Sequence, residues 1–363
     1  MVCRMKINDL KDHLLYYISK KIQQVPYITG PPGIGKSYMI KSIANELNYN
    51  LIDLRLSQCV PEDIKGIPWK EENYTVWLPP DYIIKTLKAK CILFLDELDK
   101  AKISVQNAAL ELILERKAGN QLIGNDTYII AAGNCSEELS FSNKISDALN
   151  NRMIHFEIIE DLDEWINWAS NNNIDNRIIS YIKSAGIKSL YGRYDGTNRA
   201  WPTPRSWEFA SNAIRSISDE KMIESILSSS VGSIESKYFL SFINFRNSIK
   251  AEDIIKGTSN KIDLSIVDYS VKNMLLSKVI EYITNDPEIL NASKNRNNFV
   301  FFISKFLNDI DILAPALKKL FIHNNIDIIN KKLLKDKKCK ETWMTIIERV
   351  RHELTFSINE KNN

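Results

Sequence analysis

The first half of the chain is built from short apolar runs that alternate with stretches of helical spacing. Five uninterrupted runs rich in β-forming residues occupy residues 25–29, 51–55, 91–95, 128–132 and 153–156. Apolar runs that alternate with helices are typical of a parallel sheet covered by helices on both faces. We therefore predict an α/β domain of three layers.

Helical periodicity lies on both sides of this domain. An amphipathic helix over residues 6–24 is predicted from apolar residues four apart on one face, namely Leu10, Leu14, Ile18 and Ile22. After Glu160 the strand signal fades, and helical spacing continues to the end of the chain. The pattern predicts a leading helix (1–24), an α/β domain (25–159), a small helical lid domain (160–250) and a helical C-terminal region (251–363).

A phosphate-binding pattern, G-x-x-x-x-G-K-[ST], directly follows the first apolar run. It consists of Gly30, Pro31, Pro32, Gly33, Ile34, Gly35, Lys36 and Ser37. Glycines allow backbone N–H groups to turn inward around phosphates, and the following helix N-terminus adds partial positive charge. We expect Lys36 to reach the outer phosphates of ATP and Ser37 to bind Mg²⁺. We include the next residue, Tyr38, in the nucleotide-binding segment.

Two carboxylates, Asp96 and Glu97, end the third apolar run. The C-terminal end of a buried parallel strand is where an open α/β sheet places its ligand chemistry. We expect Asp96 to hold Mg²⁺ and Glu97 to act as general base on the attacking water. Together with the phosphate-binding pattern, this pair predicts an ATP hydrolase.

These two motifs, with several others, resemble the AAA+ ATPases, and among them the MoxR-like branch with its dynein-related AAA_5 proteins. The resemblance covers about residues 25–250. Besides the motifs above it depends on Ala131-Ala132-Gly133-Asn134, Ala148-Leu149-Asn150-Asn151-Arg152 and Trp201-Pro202-Thr203-Pro204-Arg205-Ser206-Trp207-Glu208. The fold that the resemblance implies is a parallel-sheet P-loop core with a helical lid.

The resemblance implies three further catalytic residues. Asn134 matches sensor 1, which orients the attacking water or the terminal phosphate. Arg152 matches the arginine finger, which enters the site of a neighbouring subunit. Arg205 matches sensor 2 at the start of a lid helix, where Thr203 is suited to the N-cap and Pro204 to the first helical position. A ring of identical subunits, most often a hexamer, is implied with them.

The resemblance also implies that ATP hydrolysis remodels or activates a protein partner, often one with a von Willebrand factor A domain. Two insertions, residues 66–80 and a predicted hairpin at 116–126, fit the branch, and equally fit loops that pack on the adjacent subunit. We consider Trp69, Tyr74 and Trp77 as candidates for partner contact.

Composition and the positions of other motifs bear on three alternative functions. A formal net charge of +3 makes a nucleic-acid motor, loader or restriction-type translocase the second interpretation without excluding it. A GTPase is suggested only by Asn260-Lys261-Ile262-Asp263, which lies outside the nucleotide domain, and a small-molecule kinase would need neither Arg152 nor Arg205. Scattered cysteines and histidines, with no apolar run of about 20 residues, predict a cytoplasmic protein without a zinc site or a membrane span.

Overall fold

The computed structural model describes residues 3–134, 145–193, 199–258, 269–322 and 326–360. The described residues form two compact units, Met1–Trp168 with Thr203–Ser206, and Ala169–Pro202 with Trp207–Asn363. The N-K-x-D pattern at residues 260–263 lies outside the described residues, so the guanine-reading interpretation stays untested.

Ten strands, all in the first unit, form one large sheet and two hairpins within the described part of the chain. They are β1 (Cys3–Met5), β2 (Val25–Thr29), β3 (Asn50–Arg55), β4 (Ile67–Glu71), β5 (Tyr74–Leu78), β6 (Cys91–Asp96), β7 (Lys117–Ala118), β8 (Gln121–Leu122), β9 (Thr127–Ala132) and β10 (Met153–Ile158). The large sheet has the order β1-β10-β2-β9-β6-β3, and every adjacent pair in it is parallel.

The described chain also contains α-helices. In order they are α1 (Ile7–Ser19), α2 (Lys36–Leu47), α3 (Pro61–Lys65), α4 (Asp81–Lys88), α5 (Ile103–Glu115), α6 (Asp147–Asn150), α7 (Leu162–Asn171), α8 (Asn176–Ala185), α9 (Ile187–Leu190), α10 (Pro204–Ile214), α11 (Glu220–Ser230), α12 (Ser233–Ser248), α13 (Ala251–Lys256), α14 (Tyr269–Asn285), α15 (Ser293–Ser304), α16 (Ile310–Ile322), α17 (Ile326–Leu333) and α18 (Lys337–Glu360).

The predicted α/β class is confirmed, and the reason lies in the central strands. All of β9 is buried, as is β6 apart from its last residue, because helices cover both faces of the sheet. On one face, α2 packs through Met39, Ile40, Ile43 and Ala44, which are all buried. The sheet also has an edge strand that the pattern did not predict, since β1 is three residues long and buries only Met5.

Each antiparallel hairpin depends on a glycine that no larger residue could replace without displacement. A Cβ on Gly66, at the base of the β4–β5 hairpin, would lie 2.1 Å from the Leu78 carbonyl oxygen. A Cβ on Gly119, in the turn of the β7–β8 hairpin, would lie 2.8 Å from Cβ of Trp77. The hairpin predicted at residues 116–126 is therefore present, and it packs against the one formed by residues 67–78.

The second unit is helical wherever it is described, in agreement with the loss of strand signal after Glu160. Its aromatic core is centred on Tyr181, whose ring lies 5.7 Å from Trp207 and 5.5 Å from both Phe239 and Phe242. The Trp207 indole also donates a hydrogen bond of 2.7 Å to the Ser189 carbonyl. Among the described residues, no helix is long and apolar enough to span a bilayer.

Candidate functional site

The loop of residues 30–37, called the phosphate loop here, joins β2 to α2. Gly33 and Gly35 adopt φ angles of 77° and 110°, which other L-residues rarely reach. The loop packs on the core through Ile34, which is buried. Lys36 begins α2, and its Nζ donates to the carbonyl oxygens of Gly30 at 2.7 Å and Pro31 at 3.2 Å. The lysine therefore lies inside the loop, near the backbone that would cradle phosphate.

Strand β6 brings Asp96 to the same edge of the sheet. The Ser37 hydroxyl donates to Asp96 Oδ2 at 3.2 Å, and the Glu97 N–H donates to Asp96 Oδ1 at 2.9 Å. A hydroxyl and a carboxylate oxygen are the hard ligands that Mg²⁺ takes, together with water and substrate phosphate. Ser37 and Asp96 therefore fit a Mg²⁺ site, and a bound ion there would neutralise phosphate charge. No cluster of three or more metal-ligating side chains occurs among the residues described.

Glu97 has a backbone φ of 57°, in the left-handed region that a non-glycine residue seldom occupies. Its side chain is held on two sides. The Ser57 hydroxyl donates a hydrogen bond to Glu97 Oε2, and Lys100 Nζ lies 3.8 Å from Glu97 Oε1. Sequence reasoning gave Ser57 no role. The available signal was its place just after β3, since β3 pairs with β6 and Arg55 lies opposite Asp96.

Asn134 follows β9, between the phosphate loop and the turn after β6. Its Oδ1 lies 3.5 Å from Lys36 Nζ, which places the predicted sensor 1 beside the phosphate loop. Asp99 lies close by in a short 3-10 helix over Leu98–Lys100 and is only 3 % exposed. Sequence reasoning missed Asp99 as well. Its position directly after the apolar Leu98, in a turn that closes a buried strand, was the available signal, since acidic residues are seldom buried.

Two carboxyl groups near this edge have raised pKa values. Burial is the main cause of the raised pKa of Asp53. The negative charge of Asp96 raises this pKa further, and the positive charge of Arg55 lowers it. Burial also raises the pKa of Asp99, while the Asn134 N–H and the charges of Lys100 and Lys36 lower it. The charge of Asp96 thus acts on Asp53, and a cation bound at Asp96 would relieve that repulsion.

The start of α10 packs against the phosphate loop. A Cβ on Gly33 would lie 3.3 Å from Cβ of Arg205 and 3.4 Å from Cβ of Thr203. Thr203 is the predicted N-cap, since its Oγ1 accepts from the Ser206 N–H at 3.0 Å, and Pro204 is the first helical residue. Arg205 is exposed, so its guanidinium is available to a ligand of the loop.

Arg152 lies elsewhere in the same unit. It directly precedes β10, it is exposed, and its Nη1 donates to the Ala148 carbonyl at 2.8 Å. In the described part of the chain no carboxylate pairs with it. The structure therefore brings Lys36, Ser37, Asp96, Glu97, Asn134 and Arg205 to one region and leaves Arg152 outside it.

Tyr38 lies one residue beyond the phosphate loop and is exposed. Its ring meets Trp168 edge to face, with 5.8 Å between the ring centroids. Pro32 is half-buried in the loop. A role for Tyr38 in binding nucleotide stays a prediction.

Comparison with known proteins supports the nucleotide-binding interpretation. Residues 26–160 match the family described as "ATPase family associated with various cellular activities (AAA)". The chain is 30% identical over 184 residues to the mitochondrial Lon protease homolog of Scheffersomyces stipitis, a match that covers 46% of this chain and 16% of the relative. With the Lon protease of Clostridium acetobutylicum it shares 30% identity over 119 residues, covering 30% of this chain and 15% of the relative. The chain thus spans about a sixth of the length of these relatives.

Among solved structures, the RuvB Holliday junction branch migration motor of Thermotoga maritima aligns with a TM-score of 0.40 and 14% identity, over 72% of this chain and 84% of that one. NtrX from Brucella abortus aligns with a TM-score of 0.40 and 14% identity, over 87% of this chain and 67% of that one. At these scores the two similarities say nothing about function. The family match spans residues 26–160, the same stretch of chain that carries the phosphate loop, Asp96, Glu97 and Asn134.

Proposed function

We propose that the protein is a ring-forming ATPase of the MoxR-like branch, which couples ATP hydrolysis to the remodelling or activation of a protein partner. The observation that carries this proposal is the separation of Arg152 from the phosphate loop of its own chain. Assignment to the branch depends on the sequence motifs, since the relatives named above are proteases that the chain matches over about a sixth of their length.

Arg152 and the phosphate loop lie at opposite ends of two paired strands, β10 and β2. Met153, which follows Arg152, pairs with Val25 at the start of β2, whereas the phosphate loop follows Thr29 at the end of β2. Five residues of strand span about 16 Å, at roughly 3.3 Å per residue. That distance is longer than an arginine side chain, so Arg152 is suited to the site of a neighbouring copy and not to its own.

The other groups are supplied by one chain. Lys36 and the backbone of the phosphate loop would hold the outer phosphates, and Ser37 and Asp96 would hold Mg²⁺. Glu97 would accept a proton from the attacking water, with Asn134 beside Lys36 to orient it. We propose that Arg205, at the start of α10, adds positive charge when the nucleotide is bound.

A protein partner is proposed because the two hairpins expose apolar side chains. Trp69 and Tyr74 are 58% and 63% exposed on the β4–β5 hairpin, and Leu122 is 60% exposed on the β7–β8 hairpin. Exposed clusters of large apolar residues often mark protein interaction sites. Trp77 differs from the other two candidates, because it packs against Gly119 and joins the hairpins. A von Willebrand factor A domain is the class of partner that we propose, in the cytoplasm.

The ring proposal is tested by dilution. If each site needs Arg152 from a second copy, the hydrolysis rate per subunit rises with protein concentration as rings assemble. We expect that rise to coincide with a shift in mass by light scattering at the same concentrations. A rate per subunit that stays constant down to monomeric dilution would contradict the shared site.

A further inference from the structure

Asp99 is a buried carboxylate in the turn that follows β6. It is 3% exposed, and among the described residues neither of its carboxylate oxygens accepts a hydrogen bond of good geometry. A buried charge without such partners costs free energy, and natural proteins retain one where function needs it. The cost shows in the raised pKa of this carboxyl, whose main cause is burial.

The carboxylate packs against the loop that carries Asn134. A Cβ on Gly133 would lie 2.8 Å from Asp99 Oδ1 and 2.2 Å from the Tyr27 hydroxyl oxygen, so only glycine fits between them. Tyr27 belongs to β2, Gly133 follows β9, and Asp99 follows β6, which are three adjacent strands of the sheet. Gly133 is therefore held between the strand that leads to the phosphate loop and the turn that follows Asp96.

Electrostatic interactions link Asp99 and Asn134 to Lys36 of the phosphate loop. The Asn134 N–H and the Lys36 ammonium both lower the pKa of Asp99, so both act on its charged form. Lys36 Nζ is in turn 3.5 Å from Asn134 Oδ1. Moving the carboxylate would release Asn134 from one side while Lys36 remained bound by the loop carbonyls.

We propose that Asp99 is a positioning residue for ATP hydrolysis, whose buried carboxylate holds the Gly133–Asn134 loop in place relative to Lys36. The inference rests on the proposed function, since it assigns Asp99 a part in the same reaction. It acts through Asn134 and does not touch the reacting atoms. Loss of such a supporting contact typically lowers activity about 10- to 100-fold.

The test compares Asp99→Asn and Asp99→Ala with the wild-type protein. We expect turnover to fall about tenfold in the first and about a hundredfold in the second, because only the first keeps an acceptor oxygen. Affinity for Mg²⁺–ADP, measured by calorimetry, should stay within about twofold, since ADP lacks the phosphate that Asn134 would sense. The melting temperature of Asp99→Asn should equal or exceed that of the wild type, because a buried charge is removed.

The control is Asp12→Asn, the same change of charge on the exposed face of α1, and it should leave every quantity unchanged. Wild-type turnover in Asp99→Asn and Asp99→Ala would overturn the inference. So would a joint fall in melting temperature, Mg²⁺–ADP affinity and turnover, which would show a purely structural role. If the wild-type protein itself hydrolyses no ATP, the proposed function fails instead, so the two failures are distinguishable.

Discussion

The Ser57 hydroxyl donates a hydrogen bond to the carboxylate of Glu97, the residue expected to activate water. Ser57 follows β3 and Glu97 follows β6, two paired strands, so the contact is set by the register of the sheet. A hydroxyl that donates to a carboxylate occupies one of its acceptor oxygens and fixes the orientation of the side chain. The structure therefore shows the candidate general base restrained by a neighbouring side chain.

Releasing this restraint should raise basal hydrolysis. We expect Ser57→Ala to increase the basal rate about 2- to 10-fold, the range that corresponds to the net worth of one hydrogen bond. Ser57→Thr keeps the hydroxyl and is the matched control, with a rate near that of the wild type. The measurement is steady-state phosphate release at saturating ATP. An unchanged rate in Ser57→Ala would show that the contact does not restrain Glu97.

Removing the proposed base should separate binding from turnover. Glu97→Gln keeps the shape of the side chain but cannot accept the proton, so we expect turnover to fall about 10²- to 10⁴-fold. Affinity for Mg²⁺–ATP should remain near the wild-type value, because Lys36, Ser37 and Asp96 are unchanged. Binding is measured by calorimetry and turnover by phosphate release. Steady release by this variant would remove Glu97 from the role.

The cap at the start of α10 makes a prediction about stability. Thr203 and Ser206 cap each other, with the Ser206 N–H bound to Thr203 Oγ1 and the Thr203 N–H bound to Ser206 Oγ at 2.8 Å. Thr203→Ala should lower the free energy of unfolding by about 1 kcal/mol, and Thr203→Ser should lower it much less. Denaturant titration of both variants gives the comparison. Equal losses would mean that the cap is not what stabilises this helix.

The buried Asp99 predicts a dependence of stability on pH. Because its pKa is raised in the folded protein, the folded state holds this proton at pH values where the unfolded chain has released it. The contribution of Asp99 to the free energy of unfolding therefore falls as the pH rises through that window. We expect Asp99→Asn to be more stable than the wild type near neutral pH.

That advantage should shrink as the pH is lowered, because the raised pKa lets the wild-type carboxyl take up its proton in the folded state before the unfolded chain does. Other acids titrate alike in both proteins, so the difference between their denaturation curves isolates Asp99. An advantage that does not change with pH would contradict a raised pKa.

Much of the fold could be predicted because the central strands are continuous apolar runs. Strands β2, β6 and β9 were located within a residue at each end, since burial on both faces allows almost no polar residue. The three-residue edge strand β1 has no such run, because only Met5 is buried. The β4–β5 hairpin is exposed over most of its length, so its sequence carries no burial pattern to detect.

The site was predictable where local sequence defines it. The phosphate loop and Asp96 follow from spacing and strand position. The contacts of Ser57 with Glu97 and of Asp99 with Gly133 join separate segments of the chain, so they depend on strand order. Sequence alone does not show that β3 and β9 are both neighbours of β6. Once that order is known, a polar residue just beyond β3 or β9 becomes a candidate for contact with the residues that follow β6.

The central claim is that Arg152 of one copy completes the site of the next, and mixing two inactive variants tests it most directly. Arg152→Ala should reduce turnover about 10³-fold, as loss of an arginine finger does, and Glu97→Gln should be inactive for a different reason. In a mixed ring, a subunit with Arg152→Ala keeps Glu97 and receives Arg152 from a neighbour with Glu97→Gln.

We predict that co-assembling the two variants restores a substantial part of wild-type hydrolysis, highest near equal amounts of each. Activity that stays at the sum of the two separate variants, in rings shown by mass to contain both, would contradict the shared site.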